Sequence, residues 1–302
     1  MKNSSAALAW GGVLLAGALW GGGALVAQQL LDAGMAPASL ALARFALGLP
    51  LLWVGAHWAG RAAPQGRVTA AWRELPWRVK GLVAGTGAAM ALNVGCWFVA
   101  ITYMGAALPT VISICCAPVL VAAISALRGY ERVSAPLLAC MGAALLGTAL
   151  VVAPSGGGPL PAVQWLGVAW SLGSAAMYAL AVLGNARMPR TVSPLVASAW
   201  GMTAATLCAG AVAVVQGVTW PQGAWQWAGA GYTGVVTTAI AYVAFAWSAR
   251  RLGPTAAVVG TLVEPLVAAV LAVCLLGESM GTWQLVGAGL LCASIVGMSR
   301  RG

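Results

Sequence analysis

Ten apolar runs, each near twenty residues long and each closed by turn residues, leave this chain few folds to choose from. They cover about 6–31, 39–59, 81–103, 107–127, 136–153, 163–185, 194–216, 226–249, 255–276 and 283–299. A helix needs ~20 mainly apolar residues to cross ~30 Å of bilayer hydrocarbon, so each run reads as one span. The punctuation between runs suits connectors: Gly34-Met35-Ala36-Pro37, the proline- and glycine-rich stretch from Pro154 to Pro161, Pro189, Pro221 and Gly253-Pro254. The first run follows Lys2 but continues to Leu31, long for the apolar core of a secretory signal, and is kept as a span.

Only 7% of the residues are charged against 61% apolar, a balance that excludes disorder and most globular enzymes. The net charge of +10 would suit nucleic acid if the basic residues gathered on one folded face. They sit in short connectors instead. Lys2, Arg61, Arg67, Arg73, Arg78, Lys80, Arg128, Arg132, Arg187, Arg190, Arg250, Arg251, Arg300 and Arg301 all fall on one side when the spans alternate. The opposite connectors carry only Asp32 and Glu278, so the positive-inside rule places both termini in the cytoplasm. In the longest basic connector, Arg61 to Lys80, Trp72 and Trp77 accompany the arginines, as in a short helix lying on the inner membrane surface. Trp220, Trp225, Trp227 and Trp283 suit an aromatic belt at the outer surface.

Shifting the sequence by 147 positions lays spans 4–5 over spans 9–10. Pro118 then meets Pro265, Glu131 meets Glu278, Gly142 meets Gly289, and Val111, Ala122 and Leu138 meet identical residues. Spans 1–2 and 6–7 agree more loosely, with Pro37 and Pro194 in corresponding places. Five spans per half is an odd number, so the two copies cross the membrane in opposite senses. The expected fold is an all-α integral membrane protein of ten transmembrane helices, a 5+5 inverted repeat with halves 1–153 and 154–302. Such a repeat can open a central site to either face in turn. Because one chain holds both halves, a monomer suffices.

Leu19-Trp20-Gly21, Ala43-Arg44-Phe45, Glu264-Pro265, Gly277-Glu278 and Trp283-Gln284 leading to Gly287 resemble, over essentially the whole chain, the EamA-type family of the drug/metabolite transporter superfamily. The resemblance implies a 5+5 bundle that moves small metabolites across the bacterial inner membrane, commonly outward. Amino-acid exporters, including exporters of aromatic amino acids, are the members it brings closest. These motifs are general to the family and speak for the fold more than for the substrate.

Several chemistries lack their residues. His57 is the only histidine and Asp32 the only aspartate, so bis-histidine haem, a histidine-rich metal site and paired aspartates for a diphosphate transferase are excluded. The two lysines, Lys2 and Lys80, provide no phosphate-binding glycine loop. The seven cysteines, all inside apolar runs, show no ligand or disulfide spacing and read as small buried side chains. No cofactor and no metal is expected. The partners expected are a small-molecule substrate and the lipid bilayer, with no nucleic acid.

Glu264 is the costliest residue in the chain, since a charge at mid-bilayer costs ~2.5–3.5 kcal/mol or more on insertion scales. Counted from Thr255 at ~1.5 Å per residue, it lies ~14 Å deep, near the midplane. It could hold a substrate ammonium or a proton; equally it could pair with Arg44 or cap backbone groups freed by Pro265. Arg44, about five residues into span 2, is either a clamp for a substrate carboxylate or a snorkelling or ion-paired cation. Pro118 and Pro265 each remove a backbone donor, and are read as a hinge in each half or as static kinks. Trp170, Ser174 and Tyr178 recur every fourth residue on span 6, and Asn93 and Trp97 share a face of span 3. With Trp20 these could line a cavity for an amphipathic substrate with a flat side chain, or simply pack and hydrogen-bond between helices. Gly17, Gly21, Gly22, Gly23, Gly142, Gly147, Gly287 and Gly289 suit close helix approach.

The candidate substrate-binding set is therefore Trp20, Arg44, Asn93, Trp97, Ser174, Tyr178 and Glu264, with Pro118 and Pro265 as hinges. The expected function is export of amino acids or similar small amphipathic metabolites by alternating access, with no catalytic residues. Proton-coupled multidrug efflux and an intramembrane lipid-modifying enzyme are the alternatives.

Overall fold

The computed structural model describes residues 2–62, 72–129, 134–152, 164–189, 191–276 and 282–299. Every regular element among them is a helix: α1 (Lys2–Asp32), α2 (Pro37–Ala62), α3 (Trp77–Met104), α4 (Ala107–Leu127), α5 (Ala135–Val152), α6 (Gln164–Ala186), α7 (Pro194–Gln216), α8 (Gly223–Leu252), α9 (Pro254–Thr261), α10 (Val263–Leu276) and α11 (Thr282–Ser299). Among the described residues, seven helices are long and apolar enough to cross a membrane: α1 to α4 and α6 to α8. Three shorter apolar stretches, Leu138–Leu150, Pro254–Val267 and Leu285–Ser294, fall where the remaining spans are expected. The run expected as one helix over 255–276 is interrupted at Leu262, which separates α9 from α10.

Short connectors turn the chain sharply. Gly253 ends α8 at φ 84°, a left-handed backbone that a side chain disfavours, and Pro254 starts α9 where its missing N–H is no loss. The connectors also sort to two ends. At the basic end, Trp72 stacks on Trp200 of α7 at 4.3 Å between ring centres, and Arg250 Nη1 donates to the Val192 carbonyl at 2.7 Å. Trp72 is thus packed against the bundle, whereas Trp77 is 77% exposed and fits the surface role expected of the pair. At the other end, Ala36 N donates to Thr219 Oγ1 and Thr219 N to Ser39 Oγ, both at 2.9 Å. Trp220, Trp225, Trp227 and Trp283 are exposed, as an interfacial belt requires.

Helix contacts are paired by symmetry. When α6, α7, α8, α9–α10 and α11 take the places of α1 to α5, the contact of α3 with α6 becomes that of α8 with α1. Likewise α4 with α6 becomes α9–α10 with α1, and α3 with α7 becomes α8 with α2, while α2–α7 and α5–α11 map onto themselves. Glycine makes the closest crossings possible. A Cβ on Gly87 of α3 would collide with the Gly201 carbonyl of α7. A Cβ on Gly234 of α8, which follows Gly87 by 147 residues, would come within 2.8 Å of the Arg44 carbonyl on α2. Apolar helices gain little hydrophobic drive from associating in lipid, so such backbone approach carries the packing.

Gly147 also serves this purpose, its Cβ position lying 2.7 Å from the Gly287 carbonyl. Gly142 and Gly289 do not: nothing lies within 4 Å of an added Cβ, and both face outward. Glu131 and Glu278, matched in the repeat, lie outside the described residues.

Candidate functional site

Polar side chains that two-fold packing brings to the middle of the bundle line one cavity. Its wall is Trp20, Gly23, Arg44, Met90, Asn93, Val94, Trp97, Thr110, Ser113, Ile114, Ser174, Tyr178, Thr237, Val258, Thr261 and Glu264. Measured over the positions open to a water centre, its volume is ≈ 80 Å3, several times the ~10–15 Å3 that one water needs. It is therefore a space for a small solute. Both halves contribute, through α1 to α4 and through α6, α8, α9 and α10, while α5, α7 and α11 stand outside it.

Arg44 has moved its charge inward. It is 7% exposed, with Nε donating to Thr238 Oγ1 at 2.6 Å and Nη2 to the Thr237 carbonyl at 3.5 Å. The middle of α8 supplies these acceptors because Tyr232–Ile240 is wound as a π-helix. That wider turn shifts the carbonyl register, and threonine hydroxyls fill in: Thr237 and Thr238 both donate to the Thr233 carbonyl, at 2.6 and 2.8 Å. The Thr237 carbonyl also receives Trp20 Nε1 at 2.7 Å.

Glu264 opens α10 next to Pro265 and lines the same cavity. Among the described residues it forms no direct ion pair with Arg44 and no side-chain hydrogen bond, though the two groups are near enough to interact electrostatically. Pro265 cannot donate to the carbonyl four residues earlier, that of Thr261. The helix stops at that point, Leu262 N bonds to the Val259 carbonyl at 3.1 Å, and the Thr261 carbonyl lies over Gly17 of α1. Pro118, by contrast, sits buried inside an uninterrupted α4.

Asn93 Nδ2 reaches across from α3 to Ser174, 2.9 Å from Oγ and 3.0 Å from the carbonyl. Trp97 Nε1 donates to Thr110 Oγ1 at 3.0 Å. Trp20, Tyr178 and Phe245 meet at centroid distances of 5.5 to 6.3 Å and form a ring cluster on the basic side of the cavity. Beyond it, Asn185 Nδ2 donates to Tyr242 Oη at 3.3 Å. All seven side chains singled out from sequence, Trp20, Arg44, Asn93, Trp97, Ser174, Tyr178 and Glu264, thus converge. Trp170 does not: it is 42% exposed on the outside of α6.

Met90, Thr110, Ser113, Thr237 and Thr261 line the cavity without having been singled out. Met90 and Thr237 are 147 residues apart, so the repeat shift, applied to spans 3 and 8, would have paired them. Among the described residues no cluster of three His, Cys, Asp or Glu could hold a metal.

The model of the EamA-like transporter family matches this chain twice, over residues 7–153 and 165–300. The chain belongs to the EamA-like transporter family. Members of that family are transporters and not enzymes, and the two matches fit an inverted repeat, in keeping with the two-fold pairing of the helix contacts. A solved crystal structure shares this EamA-like fold, with a TM-score of 0.78 over 99% of this chain and 98% of that chain at 18% identity. At that identity the likeness speaks for the fold alone. No curated protein matches the sequence.

Proposed function

We propose that this EamA-like chain is a secondary transporter that exports amino acids, aromatic ones among them, or similar small amphipathic metabolites across the bacterial inner membrane. In this reading ten spans with both termini in the cytoplasm form halves 1–153 and 154–302, and rocking of the halves opens the cavity to one face at a time. One chain is sufficient.

The observation that carries the reading is a guanidinium and a carboxyl group lining one cavity, Arg44 from the first half and Glu264 from the second, without a direct ion pair between them. A zwitterion suits that arrangement, its carboxylate toward the guanidinium and its ammonium toward the carboxylate. Trp20, Trp97 and Tyr178 offer ring surface for an apolar side chain, and the hydroxyls and Asn93 orient it. Each charge then gains its partner from the substrate, so binding offsets part of the cost of keeping both in the membrane.

Counterflow in liposomes containing the purified protein tests this. Trans-loaded amino acid is expected to drive uptake of the same labelled amino acid, whereas labelled nucleobases do not exchange. Failure of every amino acid in a broad panel to exchange sinks the reading. Movement of cationic dyes under a pH gradient, abolished by Glu264→Gln, is the result expected of multidrug efflux.

A further inference from the structure

Arg44 has five N–H donors in a fixed plane, and two of them are committed to α8. Nη1 bonds to no described residue and is not among the buried unpaired atoms, so the outer end of the fork is open to the cavity. The Nε edge is closed. What closes it is Thr238, which does not line the cavity and is 2% exposed. Its hydroxyl proton is spent on the Thr233 carbonyl five residues back, which leaves an oxygen lone pair to accept from Arg44 Nε. The π-turn thereby turns a threonine into a pure acceptor aimed at one nitrogen.

We propose that Thr238 is a positioning residue: by holding the Nε edge it points the free end of the Arg44 guanidinium into the cavity, where it takes the carboxylate of the transported molecule and makes that carboxylate the group by which substrates are selected. This rests on the transport reading above. A carboxylate docked end-on, on Nη1 and Nη2, keeps two charge-assisted bonds in one plane. A guanidinium free to rotate would offer its Nε edge as readily, and would donate to neutral acceptors in more orientations. Without a carboxylate in the ligand, Arg44 lacks an anionic partner in a low-dielectric site, so the amine formed by decarboxylation binds more weakly than the acid.

The test compares an amino acid with its methyl ester and with its decarboxylated amine, by solute-dependent thermal stabilisation of the detergent-purified protein. In the wild type the acid should bind at least ~10-fold tighter than either analogue, the scale of a lost charge-assisted hydrogen bond. Thr238→Val, which keeps the shape and removes the acceptor, should weaken the acid ~10-fold and leave the amine unchanged, closing the gap. Thr238→Ser, which restores the hydroxyl, should reopen it. If Thr238→Val does not fold, Thr238→Ala removes the same acceptor without adding bulk. A purely structural threonine would lower the melting temperature and move acid and amine together, which overturns the proposal, as does equal binding of all three ligands by the wild type. Binding with acid preference but no counterflow contradicts only the transport reading; counterflow without acid preference contradicts only this one.

Discussion

Residues 107–127 and 254–276 occupy equivalent places in the two halves, share a proline under the 147-residue shift, and behave differently. In α4 the residue before the proline is Ala117, fully buried in an apolar cluster that includes Val121, Ala179 and Val182, and the helix passes through Pro118 without a break. In α9–α10 the corresponding residue is Glu264, which faces the cavity, and the helix stops at Leu262. Both stretches still line the site at matched positions, Ile114 and Thr261. Two-fold symmetry therefore supplies a helix with a missing donor beside the cavity. The difference between halves is chemical, and a proline alone does not interrupt a helix here.

The comparison can be broken most severely by making the halves alike. Ala117→Glu puts a carboxylate among apolar side chains with no partner, at a cost of ~3–5 kcal/mol. Loss of folded protein after detergent extraction is expected, while Glu264→Ala remains folded because its site is a cavity. Equal stability of the two variants would contradict the assigned asymmetry. The symmetric crossings come next: Gly87→Ala and Gly234→Ala each force backbones apart and should destabilise by ~1–3 kcal/mol, read from thermal unfolding, whereas Gly142→Ala and Gly289→Ala should be neutral. The smallest effect concerns the prolines themselves. Pro265→Ala restores a donor to the Thr261 carbonyl and should slow counterflow while changing stability by less than ~1 kcal/mol, and Pro118→Ala should slow it less. A larger kinetic effect at Pro118 would put the moving joint in the other half.

The helical membrane fold and its two repeats were legible because the bilayer's thickness sets the length of the apolar runs and the 147-residue shift aligns Pro118 with Pro265. The charged and aromatic site residues were legible for a related reason: a side chain as costly as Arg44 or Glu264 needs a use inside the membrane. The hydroxyl residues gave no such signal. Thr110 and Thr237 satisfy themselves on carbonyls four residues back, at 2.6 Å each, so in sequence they look like ordinary membrane threonines. The π-turn was hidden as well, since it changes carbonyl register without changing hydropathy, and Thr238 is reached only through it. Gly142, Gly289 and Trp170 show the opposite failure. For the two glycines, helical spacing gives a face but not the direction it points, and both point outward; Trp170, eight residues before Tyr178, is turned ~80° away from it at 3.6 residues per turn and leaves the cavity.

The central claim is that two charges from opposite halves serve one bound zwitterion, and a ligand-by-variant binding matrix addresses it directly. Affinities of wild type, Arg44→Gln and Glu264→Gln would be measured for an amino acid, its decarboxylated amine and its N-acetyl derivative. Arg44→Gln is expected to lose the preference for acid over amine, and Glu264→Gln the preference for free over acetylated nitrogen, each by ~10-fold or more. If both variants weaken all three ligands by the same factor, the two charges hold the bundle together and the cavity does not read the substrate through them.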